Sequence, residues 1–273
     1  MLGWSLNLFR VRGIQLAVHS SFFLLLAYIA WQGWQPDPTD HYAGGWAGML
    51  LSVGILLAFF VCVVLHELGH SFTAMRFGVG VRRILLMPIG GMAEFDAIPR
   101  QPSRELLITL AGPAVNFVIA GLLAIAFPPP KGWPFGDYDF AANATGVAQL
   151  LMHWNLIMGC FNLVPVFPMD GGRILRAVLA IRLPYLRATQ IAATTGKVLA
   201  SAAIGVALLA PQLHLARNPA WLLAALFAFI FVAGEMEYRA VRRRERDDAH
   251  WREVLARVYT AQGRAEDPPP LTQ

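Results

Sequence analysis

The chain has 273 residues, of which 56% are hydrophobic and 14% charged, against roughly one-quarter charged in an average soluble domain. That balance excludes an ordinary soluble enzyme, and the net charge of +5 is better read as a membrane-orientation signal than as a footprint for nucleic acid. Cys62 and Cys160 both fall inside apolar runs, where no disulfide framework is needed and packing is the default role.

Apolar runs near the 20 residues needed to cross a bilayer core recur at 16–31, 46–65, 106–127, 144–166, 191–210 and 219–234. The expected fold is therefore an all-α polytopic membrane protein of six transmembrane helices. The first run ends in Trp31, Trp34 and Pro36 with no small-residue cleavage pattern, so it reads as a retained helix and not a signal peptide. Thr194, Thr195 and Lys197 dilute the fifth run, where the lysine can snorkel to the interface. With the N-terminus in the cytoplasm, only Lys131 and Arg217 of the 22 Lys and Arg residues lie outside, while Asp37, Asp40, Asp137 and Asp139 occupy the outer loops. Both termini are then cytoplasmic by the positive-inside rule.

The second run leads into His66-Glu67-Leu68-Gly69-His70. Four residues of helix advance about 400°, which returns His70 almost above His66, so that two imidazoles converge on one ion. Glu67, turned about 100° from His66, is placed to take a proton from a water activated by that ion. Counted back from Arg76, His66 sits about 15 Å into the helix, too far in for simple interfacial solvation. Ionisable side chains at such depth mark functional sites.

Residues 79–104 follow, with Val81, Ile84, Leu85, Leu86, Met87 and Ile89 interrupted by Pro88 and the Gly90–Gly91 pair. This reads as a short re-entrant β hairpin between the second and third spans. The loop 128–138, with Pro128, Pro129, Pro130 and Pro134, only punctuates the topology.

Catalytic zinc takes a third protein ligand and leaves one position open. The fourth run ends in Asn162-Leu163-Val164-Pro165-Val166-Phe167-Pro168-Met169-Asp170-Gly171-Gly172. Prolines that break the helix and glycines that permit unusual backbone angles are tolerated at membrane depth only where they line a cavity or are buried in protein. Asp170 is the best third ligand, set against the plainer role of capping a helix that begins near Gly172. Cys62, on the same helical face as His66, is a weaker alternative. His19, His153 and Asn155 fit hydrogen-bonded helix contacts better than a water path.

Residues 1–236 are expected to form the membrane domain, and 237–273 a cytoplasmic helix and disordered tail. Trp251, Val254, Leu255, Val258 and Tyr259 make an amphipathic stripe, suited to the protein's own inner face or the anionic lipid leaflet, with a homodimer or partner contact as the alternative.

Three separated motifs resemble those of the site-2 proteases, intramembrane zinc metalloproteases: His66-Glu67-Leu68-Gly69-His70, the A-G-P-x-x-N run from Ala111 to Asn116, and N-x-x-P-x-x-P-x-D-G-G-R from Asn162 to Arg173. Phe9-Arg10-Val11-Arg12-Gly13-Ile14 and Val18-His19-Ser20-Ser21-Phe22 look like the start of the six-span branch that includes a sporulation sigma-factor processing enzyme. The resemblance implies that His66, His70 and Asp170 bind one zinc ion, that Glu67 activates water, and that Asn162 holds the substrate or the tetrahedral intermediate. It further implies that Gly90 and Gly91 belong to an edge strand that aligns substrate, and that Asn116 supports the site. The substrates implied are transmembrane proteins within the lipid bilayer of a prokaryotic cell. The 37 residues from 237 onward are too few for the CBS domain of many six-span relatives, and no PDZ insertion is seen. Two other classes compete: a metal transporter, which needs no base beside a ligand and shows internal repeats, and a non-catalytic membrane-protein-binding relative, which would be expected to lack one of the four active-site residues.

Overall fold

A computed structural model describes residues 4–36, 44–96, 100–129, 131, 133, 143–209, 212 and 220–261. Asp37, Asp40, Pro130, Pro134, Asp137, Asp139, Arg217 and the tail with Pro268, Pro269 and Pro270 lie outside the described residues. The chain divides into two units, Met1–Ile98 with Leu107–Asn162, and Pro99–Leu106 with Leu163–Gln273.

The first unit opens on a hairpin. Strand β1 (Ser5–Val11) pairs antiparallel with β2 (Ile14–His19), and Val11 faces Ile14 across a two-residue turn. Arg12 and Gly13 both have positive φ, 48° and 90°, as the tight turn matched to strand twist requires. Helices α1 (Ser21–Trp34) and α2 (Gly45–Arg76) follow, and then a second hairpin of β3 (Val81–Met87) and β4 (Gly90–Phe95). β2 and β3 pair in parallel, with Leu16 beside Ile84 and Val18 beside Leu86, so the two hairpins form one sheet in the order β1-β2-β3-β4. Ile14, Leu16 and Val18 of β2 alternate with Ile84 and Leu86 of β3 onto one face. That face packs on Phe22 of α1 and on Phe60, Val63 and Leu68 of α2. The period-2 pattern of the strands thereby ties the sheet to the helix that carries the His-Glu pair.

Two expectations are corrected here. The fold is not all-α, because the hairpin expected after α2 is half of a four-stranded sheet. The apolar run 16–31 is not helical throughout: Leu16–His19 belongs to β2, and α1 has 14 residues, about 21 Å of helix. A continuous apolar run is compatible with a buried strand or a helix. What decides between them is pairing with β3, far along the chain. His19 marks the change, since its Nδ1 accepts the Ser21 backbone N–H at 3.2 Å.

Among the described residues, four helices are long and apolar enough to cross a membrane: α2, α3 (Pro102–Ala126), α6 (Tyr185–Leu209) and α7 (Trp221–Ala261). Between α3 and α6 lie α4 (Ala144–Asn162) and α5 (Asp170–Ala180). α4 has 19 residues but carries Gln149, His153 and Asn155, which reduce its apolar character. α7 continues without a break through Glu235 and the charged stretch beyond it.

In the second unit, α6 presents Ala192, Ala193, Gly196 and Ala200, all buried. Ala200 packs with Val166 and Ile230, while Ala192 and Ala193 pack with Phe167. Small residues allow helix backbones to approach closely. Lys197 within α6 is met by Glu235 of α7, its Nζ donating to Oε2 at 2.9 Å.

On the sheet, Arg83 donates to Glu94 through Nε at 2.9 Å and Nη2 at 2.8 Å. This bidentate bond holds the Glu94 carboxyl below its ordinary range. The pair is half-exposed and contributes up to ~1 kcal/mol. Because the folded-state pKa is lowered, that stability is fully present above the ordinary glutamate value of about 4.3 and is lost as pH falls through the lowered one. Glu94→Gln is expected to lower the melting temperature in detergent at pH 7, with the difference from wild type closing below about pH 4, as a pH series of thermal melts would record.

Candidate metal centre and active site

His66 and His70 are buried on α2, 3% and 7% exposed. His66 Nδ1 lies 2.5 Å from Asn116 Oδ1 on α3, and His70 Nδ1 lies 2.8 Å from the Ile108 carbonyl oxygen. The Asn116 amide is oriented by its other end, because Nδ2 donates to Asn155 Oδ1 at 2.8 Å and Asn155 Nδ2 donates to the Leu151 carbonyl at 2.8 Å. Both partners of the imidazoles are therefore acceptors, so each neutral ring carries its proton on Nδ1. The lone pairs then reside on the two Nε2 atoms, which face one another 3.1 Å apart.

Two lone pairs at that distance repel unless a proton or a cation lies between them. Two nitrogens bound tetrahedrally to one zinc ion at 2.0–2.1 Å are separated by roughly 3.3 Å. The donor set and its spacing fit such an ion. Oriented Nδ1–H donors are the usual outer partners of metal-ligating histidines.

The A-G-P-x-x-N run provides the ground for the pair. A Cβ on Gly69 would lie 2.8 Å from the Ala111 carbonyl oxygen and 2.9 Å from Val115, so glycine permits the approach of α2 to α3. A Cβ on Gly112 would run into His70 Nε2 and come within 2.8 Å of His66 Cε1. Pro113 removes one helical donor in the same turn, and Asn116, one turn later, meets His66. Motif spacing and ring orientation are thus one piece of geometry.

Glu67 points elsewhere, toward the sheet. A Cβ at Gly91 would lie 2.6 Å from Glu67 Cγ and 3.2 Å from Oε1, so only glycine leaves room for this carboxylate beside β4. Gly90 has φ 132°, a backbone angle that side chains resist. Among the described residues β4 ends the sheet, hydrogen-bonded to β3 on one side. A strand edge therefore runs alongside the candidate base.

Asn162 closes α4 and is half-buried. In the second unit, Asp170 is the first residue of α5, and Met169 occupies the cap position without a side-chain cap bond. A Cβ on Gly171 would collide with the carbonyl oxygens of Leu163 and Val164, and one on Gly172 would lie 2.6 Å from the Phe167 nitrogen. The loop 163–169, with a cis Phe167–Pro168 bond, folds back over the start of α5. Cys62 turns to its own helix, its Sγ donating to the Ala58 carbonyl at 3.5 Å. His153 meets Trp133, whose Nε1 donates to Nδ1 at 3.2 Å.

Sequence reasoning missed the buried pair Arg176 and Glu105, each 1% exposed. The available signal was a glutamate at the head of an apolar helix, where an ionisable group is costly.

A model of peptidase family M50 matches residues 54–131 and 135–203. The chain is 38% identical over 240 residues to the zinc metalloprotease MJ0392 of Methanocaldococcus jannaschii, covering 88% of this chain and 62% of that one. It is 28% identical to the stage IV sporulation protein FB of Bacillus subtilis, covering 80% of this chain and 68% of that protein. The chain spans 62%, 42% and 50% of the lengths of the first three curated relatives. Among solved structures, the site-2 protease from Methanocaldococcus jannaschii superposes with a TM-score of 0.55 at 35% identity, covering 86% of this chain and 95% of that one. The match of the family model across both the paired-histidine helix and the segment bearing Asp170 shows that this chain belongs to peptidase family M50.

Proposed function

We propose that the protein is an intramembrane zinc metalloprotease that hydrolyses peptide bonds within or near the transmembrane segments of membrane-protein substrates. The observation that carries this reading is the convergence of two Nε2 atoms on α2, with Glu67 between them in sequence and against an edge strand in space. His66, His70 and Asp170, each offering one ligand atom, would hold the ion. The zinc ion, when bound, supplies the Lewis acidity that makes a water nucleophilic near neutral pH.

Glu67 accepts the proton of the attacking water and passes it to the departing amine nitrogen, so that one carboxylate serves as base and then acid. Asn162 steadies the substrate chain through its side-chain amide. A helical substrate hides its carbonyls in i to i−4 bonds and must unwind locally. Unwound backbone in lipid is costly unless a strand edge supplies partners, and β4, with Gly90 and Gly91, supplies that edge by strand addition. The six-span topology with cytoplasmic termini, in which 1–236 forms the membrane domain and the rest is cytoplasmic, belongs to the same proposal, as does regulated intramembrane proteolysis as its use.

Purified protein is expected to hold about one zinc equivalent, and the His66→Ala, His70→Ala double variant to lose it. Full metal content in that variant, by elemental analysis, rules out the paired-histidine site. Glu67→Gln is expected to retain the zinc and the fold while peptide hydrolysis drops by about 10²-fold or more; near-normal cleavage would move the base to another residue. Gly91→Pro, which removes a backbone donor and crowds Glu67, is expected to slow cleavage about tenfold or more, on the scale of one lost buried hydrogen bond, with zinc content unchanged. Wild-type cleavage of a helical substrate by a folded Gly91→Pro variant would end the edge-strand role.

A further inference from the structure

The second unit buries a charged cluster that the proposed chemistry does not use. Arg176 of α5 is 1% exposed. Its Nε and Nη2 donate to Glu105 Oε1 at 2.8 Å and 2.5 Å, and its Nη1 donates to Glu237 Oε1 of α7 at 2.6 Å. The guanidinium carbon lies 5.3 Å from the Phe167 ring centroid and 5.1 Å from that of Tyr185. Tyr185 also donates to Glu105 Oε1 at 3.4 Å.

Such a cluster is a poor device for stability. Desolvation costs several kcal/mol per ion, and apolar residues of equal volume commonly do as well. What a planar guanidinium does supply is direction: a fork of donors with faces that stack on aromatic rings. One of those faces meets Phe167, three residues before Asp170 in the loop that Gly171 and Gly172 let fold over α5. Of the two carboxylates, Glu105 is fully buried and Glu237 is 32% exposed. Glu237 is thus the accessible end of the cluster, and it belongs to the helix that continues to Ala261.

We propose that Arg176 is a positioning residue that sets the loop bearing Asp170, and that Glu237 extends this hold to α7, so that the long C-terminal helix tunes the affinity of the metal centre. The inference rests on the reading of Asp170 as a metal ligand. Displacing α7 at Glu237 withdraws one of the two acceptors of Arg176. The guanidinium then reorients toward Glu105, its stacking on Phe167 changes, and Asp170 loses its fixed placement.

The test is a double-mutant cycle on the full chain in detergent micelles, with zinc affinity read by competition with a chelator. Glu237→Ala is expected to weaken zinc binding about tenfold and Arg176→Lys by more, within the roughly 10–100-fold typical of residues that orient metal ligands. In an Asp170→Ala background, where His66 and His70 remain, Glu237→Ala is expected to have no further effect. An equal loss in both backgrounds would reveal a general structural role and overturn the inference, as would unchanged affinity in Glu237→Ala alone. If Asp170→Ala binds zinc as tightly as wild type, the ligand reading itself fails and takes the inference with it. Loss in Asp170→Ala without any loss in Glu237→Ala leaves the ligand reading standing and removes only the coupling.

Discussion

The arrangement of the first unit depends on holding two buried imidazoles in one tautomer. Each ring has a single Nδ1 proton to give, and each gives it to an oxygen on α3: the Asn116 amide for His66, the Ile108 carbonyl for His70. Without those acceptors the rings would rotate or exchange tautomers, and their Nε2 atoms would no longer aim at one point. The Asn116–Asn155 bond extends the constraint to α4. A polar chain through the interior of apolar helices is stable only when its members are satisfied, and here the Leu151 carbonyl terminates it.

Glycine recurs at the points where that arrangement needs close backbone approach. Gly69 lets α2 and α3 meet, Gly112 makes room for the imidazoles, and Gly91 makes room for Glu67 beside β4. In the second unit Gly171 and Gly172 play the same part for the loop ahead of α5. Each takes the space that a single methyl group would fill. The glycines are therefore part of the chemistry at one remove: they contribute no functional group, yet they fix how near the functional groups stand.

What the sequence made legible was whatever depends on local spacing. The four-residue interval of His66 and His70 implies adjacent Nε2 atoms, and the break at Pro88 with the Gly90–Gly91 pair implies the hairpin that β3 and β4 form. Features set by distant partners were hidden. β2 reads as the start of an apolar span because its hydrogen-bonding partner, β3, follows two helices later. The pairing of Arg176 with Glu105 and Glu237 was hidden in the same way, since each residue alone resembles an interfacial charge. Lys197 dilutes its apolar run, but a single helix does not disclose the carboxylate that meets it.

That last pair bears on how the chain enters a bilayer. A lone lysine in an apolar helix costs up to ~2.5–3.5 kcal/mol on insertion scales at the bilayer centre and less toward the interface, and Glu235 brings a second charge on α7. Joined as Lys197–Glu235 at 2.9 Å, the two charges travel as one neutral dipole. On that arithmetic the α6–α7 pair carries less unpaired charge into a bilayer than either helix alone.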